Sequence, residues 1–187
     1  MEIFERTGDT EGQAWCLAKL AWLLFNNNQL DAAEDTTSRA IGLISGTGKE
    51  LLLCDLHRVL GKIFGSEGDK QKAIHHFEAV LRIASPFNWH DVLFLTHFHL
   101  AELFLDEGKF DDASAHVERA KLKVANDAYK LGRATDLQAD VWYQEGRLEG
   151  AQSRVLHALE IFEKLGAAKN VRDCTGLLRK IERAMEN

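Results

Sequence analysis

The stretch Val59–Val80, VLGKIFGSEGDKQKAIHHFEAV, decides how this chain folds. Its first half places Val59, Leu60, Ile63 and Phe64 at the spacing of one helix face. Gly68 follows, a residue suited to the left-handed backbone that ends a helix. A second helical run opens at Asp69-Lys70 and carries Ala73, Phe77 and Val80 on one side. The segment is therefore a helical hairpin. Gly61 and Ala73 are the small residues that let its two helices approach closely. A large side chain at such a place would overpack, at a cost of roughly 1–3 kcal/mol.

Working outward, the same pattern recurs. Leu20-Ala21, Ala33 and Ala40 match Leu60-Gly61, Ala73 and Val80. So do Leu100-Ala101, Ala113 and Ala120, and then Gln138-Ala139, Ala151 and Ala158. The alanines Ala33, Ala73, Ala113 and Ala151 lie 40, 40 and 38 residues apart. Gly108 and Gly146 repeat the stop at Gly68, and Asn28 takes that place in the first copy. Asparagine is the next-best residue for a left-handed position. Second helices then open at Gln29-Leu30-Asp31, Lys109-Phe110-Asp111 and Arg147-Leu148-Glu149. A period in this range marks stacked units that share one continuous core.

This pattern resembles the tetratricopeptide repeat (TPR). The second unit matches it best, with Leu60, Gly61, Phe64, Gly68, Ala73 and Phe77. The third offers Leu100, Ala101, Phe104, Gly108, Ala113, Val117 and Ala120, and the fourth Ala139, Trp142, Gly146, Ala151, Val155 and Ala158. The first departs most, with Leu24 and Thr37 in the two aromatic slots. A period near 40 exceeds the family's usual length of about 34. It is similar in this to the longer repeats of kinesin light chains and bacterial signal-transduction ATPases. The resemblance implies an all-α, right-handed superhelical TPR-like solenoid of four helix pairs plus a C-terminal cap helix. It would form a single repeat domain over residues 1–187, with repeats near 14–47, 54–86, 94–126 and 132–165 and a cap over 168–186.

The two ends add expectations. Glu2-Ile3-Phe4-Glu5-Arg6-Thr7-Gly8 echoes Glu160-Ile161-Phe162-Glu163-Lys164-Leu165-Gly166, and Cys16 and Cys174 stand at the same offset. Residues 1–8 thus read as the remnant of a preceding repeat. Ile3 and Phe4, beside Trp15, Leu17 and Leu20, then predict a symmetric homodimer through that N-terminal end. At the other end, Val171, Cys174, Leu178, Ile181 and Met185 form one apolar stripe. Arg172, Asp173, Arg179, Lys180, Glu182 and Arg183 cover the opposite side, as a capping helix requires.

Several phrases look like a narrower group. Phe87-Asn88-Trp89-His90-Asp91, Ala101-Glu102-Leu103-Phe104, Phe110-Asp111-Asp112-Ala113 and Glu163-Lys164-Leu165-Gly166-Ala167-Ala168-Lys169 resemble the C-terminal repeats of fungal NACHT or NB-ARC nucleotide-binding signalling proteins. That resemblance implies a sensor or protein-recognition arm, NLR-like, whose ATPase lies elsewhere in a parent chain.

Composition narrows the function further. The 187 residues carry a net charge of −6, which argues against a nucleic-acid partner, because phosphate binding needs a basic face. No apolar run nears the roughly 18 residues of a membrane span. The N-terminus has no signal-peptide core. Cys16, Cys54 and Cys174 are widely spaced and odd in number, which suits buried thiols in a reducing, cytoplasmic setting.

Candidate chemistry is sparse. Gly46-Thr47-Gly48-Lys49-Glu50 has a phosphate-loop flavour, yet Leu43 stands where that loop needs glycine and Glu50 where it needs serine or threonine. A helix-helix turn is the better reading. His75, His76, His90, His97 and His99 are crowded, but no cysteine or carboxylate completes a familiar zinc set, so they read as surface or interface histidines. His57 and His97 occupy a slot where the repeat family often buries a large residue. Ser38, Ser45, Ser66, Ser85, Ser114 and Ser153 sit in no elbow motif, and Cys54 one turn from His57 reads as burial. No cofactor, no metal and no enzymatic activity are expected.

The resemblance also implies a concave groove lined by the first helices. Its lining positions here are Trp15, Ala18, Trp22 and Phe25; Asp55, Arg58, Lys62 and Gly65; Leu95, Phe98, Glu102 and Leu105; and Arg133, Asp136, Asp140 and Tyr143. Trp22, Phe25 and Leu105 read equally well as packing between neighbouring repeats. The family's clamp for chaperone tails needs lysine and asparagine where Ala18 and Trp22 stand, so that partner is not expected. The expectation is a non-catalytic scaffold for a protein or peptide ligand. Its acidic end should favour Arg58 and Lys62 and its basic end Asp136 and Asp140. The competing expectation is a stacking module with no groove ligand.

Overall fold

A computed structural model describes residues 8–124 and 126–186. The expected helical remnant with Ile3 and Phe4 lies outside the described residues, and so does the dimer surface built on it. Among the described residues there is no strand, and 84% are helical. In chain order the helices are α1 (Thr10–Asn26), α2 (Leu30–Ile44), α3 (Glu50–Glu67), α4 (Lys70–Ala84), α5 (His90–Asp106), α6 (Phe110–Lys121), α7 (Ala128–Gln144), α8 (Leu148–Lys164) and α9 (Ala168–Met185). A short 3₁₀ turn, Ser85–Phe87, precedes α5 and contains the chain's one proline.

The turns follow from local chemistry. Asn28 has φ 59°, and Gly68, Gly108, Gly146 and Gly166 all have positive φ between 66° and 86°. At four of these stops the next residue's amide reaches back to a carbonyl of the last turn: Gln29 to Leu24 (2.9 Å), Lys109 to Phe104 (2.9 Å), Arg147 to Trp142 (2.8 Å) and Ala167 to Phe162 (2.9 Å). These bonds satisfy carbonyls that a helix end would leave open. Three helix starts are capped by aspartates. Asp9, Asp69 and Asp127 accept from the amides of Gly12, Lys72 and Lys130 at 2.8, 3.1 and 3.0 Å. Such caps typically contribute about 1 kcal/mol each.

The chain divides into two compact units, Met1–Thr96 and His97–Asn187. In the first, α1 packs on α2 and α3 on α4. Ala14, Leu17, Ala40, Ile44, Leu52 and Leu56 form one buried cluster, and Cys54, Val80, Ala84 and Leu93 another. In the second unit α7 packs on α8 and α9 on α8. Ala139, Ala151, Val155, Ala158 and Phe162 meet Cys174 and Ile181 of α9, with Val171, Leu177 and Leu178 alongside. Met185, expected in that stripe, is 43% exposed, because it lies in the last turn beyond the buried Ile181. The register alanines Ala33, Ala73, Ala113 and Ala151 are fully buried.

Gln138 occupies a slot held by leucine in the other repeats and is itself buried. It is satisfied there. Its amide donates to Glu118 at 2.6 Å, and its carbonyl accepts from Lys121, which also pairs with Glu118. A buried amide without such partners would be strongly destabilising.

Candidate functional site

In the first unit, α1 and α3 together line a cleft of about 160 Å³. Its walls are Trp15, Ala18, Lys19 and Trp22 from α1 and Leu52, Asp55, Arg58 and Val59 from α3. Helical spacing puts Trp15, Ala18 and Trp22 on one face of α1, and Asp55, Arg58 and Lys62 on one face of α3. Trp15 and Trp22 are 39% and 37% exposed and lie side by side in this cleft. Trp22 stacks on Phe25 at 5.7 Å, and the Lys62 ammonium lies 4.9 Å from the Trp22 ring centre and 5.2 Å from that of Phe25. Lys19 sits 5.7 Å from the ring centre of Trp15. Arg58 donates to Asp55 at 2.8 Å. The cations Lys19 and Arg58 and the carboxylate of Asp55 line the cleft, with the Lys62 ammonium on the Trp22 ring beside it. Trp15 also lines a neighbouring cleft with Leu51, Leu52 and Trp89.

In the second unit the expected groove residues separate. Phe98 is 6% exposed and lies beneath Arg133, whose guanidinium carbon is 4.1 Å from the ring centre. Its ring cannot act as an open anchor while Arg133 stays in place. Leu105 is buried core. Leu95 is half-buried, and Tyr143 packs against the α7–α9 core cluster. Glu102 is exposed and accepts from His99 Nδ1 at 2.8 Å. Asp136 and Asp140 line an open cleft of about 400 Å³ with Arg172, Asp173 and Lys180. Burial, and then the charges of Asp140 and Asp173, push the Asp136 carboxyl up, against a 3.2 Å hydrogen bond from the Cys174 thiol.

The histidines are not scattered. His57 Nδ1 and His76 Nδ1 lie 3.0 Å apart, and His97 Nδ1 and His116 Nδ1 lie 3.1 Å apart. His116 escaped the sequence reading, although its offset of 19 from His97 copies the 19 residues from His57 to His76. Among the described residues no group of three or more metal-ligating side chains converges. Burial pushes the Cys54 thiol up to about 12, with Asp55 and Glu50 adding to it, so it stays a thiol. Among the described residues no helix is long and apolar enough to cross a membrane.

No known protein-family profile matches the chain, and no curated protein matches it. Solved structures do. The BtubC (BKLC) protein of P. vanneervenii superposes with a TM-score of 0.69 at 17% identity, over 91% of this chain and 80% of its own. A putative kinesin light chain of Podosopora anserina, described as having nearly identical TPR-like repeats, gives 0.67 at 15% identity over 91% and 90%. PilF of Pseudomonas aeruginosa gives 0.65 at 12% identity over 92% and 78%. The fold is thus that of the TPR-like helical repeat proteins.

Proposed function

We propose that this chain is a non-catalytic scaffold, one repeat array over residues 1–187, that binds a protein or peptide through the cleft between α1 and α3. The observation that carries the reading is the pair of partly exposed tryptophans, Trp15 and Trp22, in one cleft with Lys19 and Arg58. Exposed aromatics next to arginine are typical binding anchors. The occupant is a peptide with an apolar side chain for the space between the rings and a carboxylate for Arg58, Lys19 and Lys62. The phrases shared with fungal nucleotide-binding receptors support a place as the sensor arm of such a protein. Ligand binding would then bias the parent by its different affinity for the two states.

Random-peptide display against the chain tests this. Selected peptides should combine acidic and apolar residues and lose binding to Trp22→Ser and to Arg58→Glu, both checked for an unchanged melting temperature. Peptides that bind both variants as well as the parent would refute the cleft. Selection of nothing, together with concentration-dependent association of the chain, would favour the stacking module.

A further inference from the structure

Two rings of the second repeat and two of the third repeat one geometry at an interval of 40 residues. His57 on α3 meets His76 on α4 through Nδ1 atoms 3.0 Å apart, and Phe64 stacks on His76 at 5.4 Å with planes 10° apart. His97 on α5 meets His116 on α6 at 3.1 Å, and Phe104 lies 5.4 Å from His116. Each pair joins the first helix of its repeat to the second. The flanking repeats fill the same register differently. Leu17 and Thr36 stand there in the first, and Thr135 and Arg154 in the fourth. Leu17 and Thr36 are both buried, so the slot closes without histidine.

A contact between two Nδ1 atoms at this distance needs one N–H and one lone pair. One ring must carry its proton on Nδ1 and the other on Nε2. A first added proton can go to the Nε2 of the donor ring and leave the bond intact. A second puts N–H groups on both Nδ1 atoms, pointing at each other, with two charges on rings that are half-buried or, at His97, buried. We propose that the two histidine pairs are proton-operated latches, which clasp the helices of the second and third repeats when neutral and release them when both rings of a pair are protonated.

The surrounding charges sharpen the response. Burial, then His75 and Arg82 of α4, hold His57 below the ordinary histidine range; burial, His57 and His75 hold His76 at about 4. Lys72 sits over the Phe64 ring of the same cluster, with Glu34 of α2 acting on that lysine. Burial, His116, Arg119 and Lys123 hold His97 at about 4. Burial and Arg119 lower His116, while Asp112 opposes them. Lys109 lies over Phe104, and on α6 Glu118 and Lys121 are tied to each other and to Gln138 of α7. The sign follows by linkage. The unfolded chain takes up protons at His76 and His97 near about 6.5 and the folded chain only near 4, with His57 and His116 lowered in the same direction, so stability is full above the unfolded value and drains as pH falls toward 4.

The test compares the chain with His57→Leu/His76→Thr, which copies the first repeat's own solution, with His97→Leu/His116→Thr, and with all four changes together. Amide exchange is read near about pH 7.5 and about pH 5. On acidification, amides of α3 to α6 in the parent should lose protection relative to α8, about tenfold for each pH unit a pair resists protonation. Each double variant should remove the response in its own repeat, and the fourfold variant both. An unchanged acid response in the fourfold variant would overturn the latch. If the variants do not fold, imidazole nitrogen NMR on the parent decides. The proposal needs one protonated and one bare Nδ1 per pair at neutral pH, lost together with α3–α6 protection; four independent titrations at the ordinary value would overturn it.

Discussion

A Cβ atom on Gly61 would lie 2.8 Å from the ring of Phe77, across the α3–α4 contact. Real Cβ atoms do not come so close to a ring, and Phe77 is 1% exposed with little room to yield. The other repeats hold the same two positions with Ala21 and Thr37, Ala101 and Val117, and Ala139 and Val155. Volume is therefore traded across the helix pair, with the smallest residue facing the largest. Gly61→Ala should destabilise, since overpacking of roughly 1–3 kcal/mol outweighs a helix-propensity gain of at most about 1 kcal/mol. In a Phe77→Val background the same change should stabilise. Urea melts of the four species measure the coupling, and a Gly61→Ala effect of one sign in both backgrounds would contradict the trade.

Ala73→Leu and Ala113→Leu should each cost roughly 1–3 kcal/mol, because both alanines are fully buried between paired helices. The measurement is again a urea midpoint at unchanged slope. Neutral behaviour at both would mean the register of the repeats is misplaced.

Gly108 has φ 69° with nothing within 4 Å of where a Cβ would stand. Gly108→Val should then lose about 1–2 kcal/mol for conformational reasons alone, since a side chain with free space still resists the left-handed region. Asn28, at φ 59°, tests the converse: Asn28→Gly should be neutral or stabilising. A Gly108→Val chain as stable as the parent would contradict the turn geometry.

Phe98 and Trp22 should behave oppositely. Phe98→Ala empties a buried site beneath Arg133 and should cost about 3–5 kcal/mol with no selective effect on ligand binding. Trp22→Ala removes a half-exposed ring and should mainly affect binding. Thermal melts and peptide titration of both variants separate the roles.

Thiol labelling should divide the cysteines. Cys54 and Cys174 are buried, and burial with nearby carboxylates pushes both thiols well up from the ordinary value. Cys16 is partly exposed. One thiol should react readily in the native chain and the other two only on unfolding. Rapid native labelling at Cys174 would show that α9 opens.

The alanine register, the four-fold period and the left-handed stops at Asn28, Gly68, Gly108 and Gly146 were legible in the sequence. Helix periodicity and turn chemistry are local, and a glycine or asparagine at the end of a periodic helical run marks a left-handed stop. The tertiary structure decided what one helix shows another. Phe98 and Trp22 were both read as groove-lining aromatics, on helices α5 and α1, yet Arg133, 35 residues further along, covers the first ring and leaves it 6% exposed, while the second is 37% exposed. Gln138 could replace a leucine only because Lys121 and Glu118 arrive from another helix. His76 read as one of a crowded set of surface or interface histidines and His57 as a burial position; only the closed hairpin brought their rings to 3.0 Å. Such contacts depend on the rotation of each helix about its own axis. Packing of the whole face sets that rotation, so no local stretch of sequence specifies it.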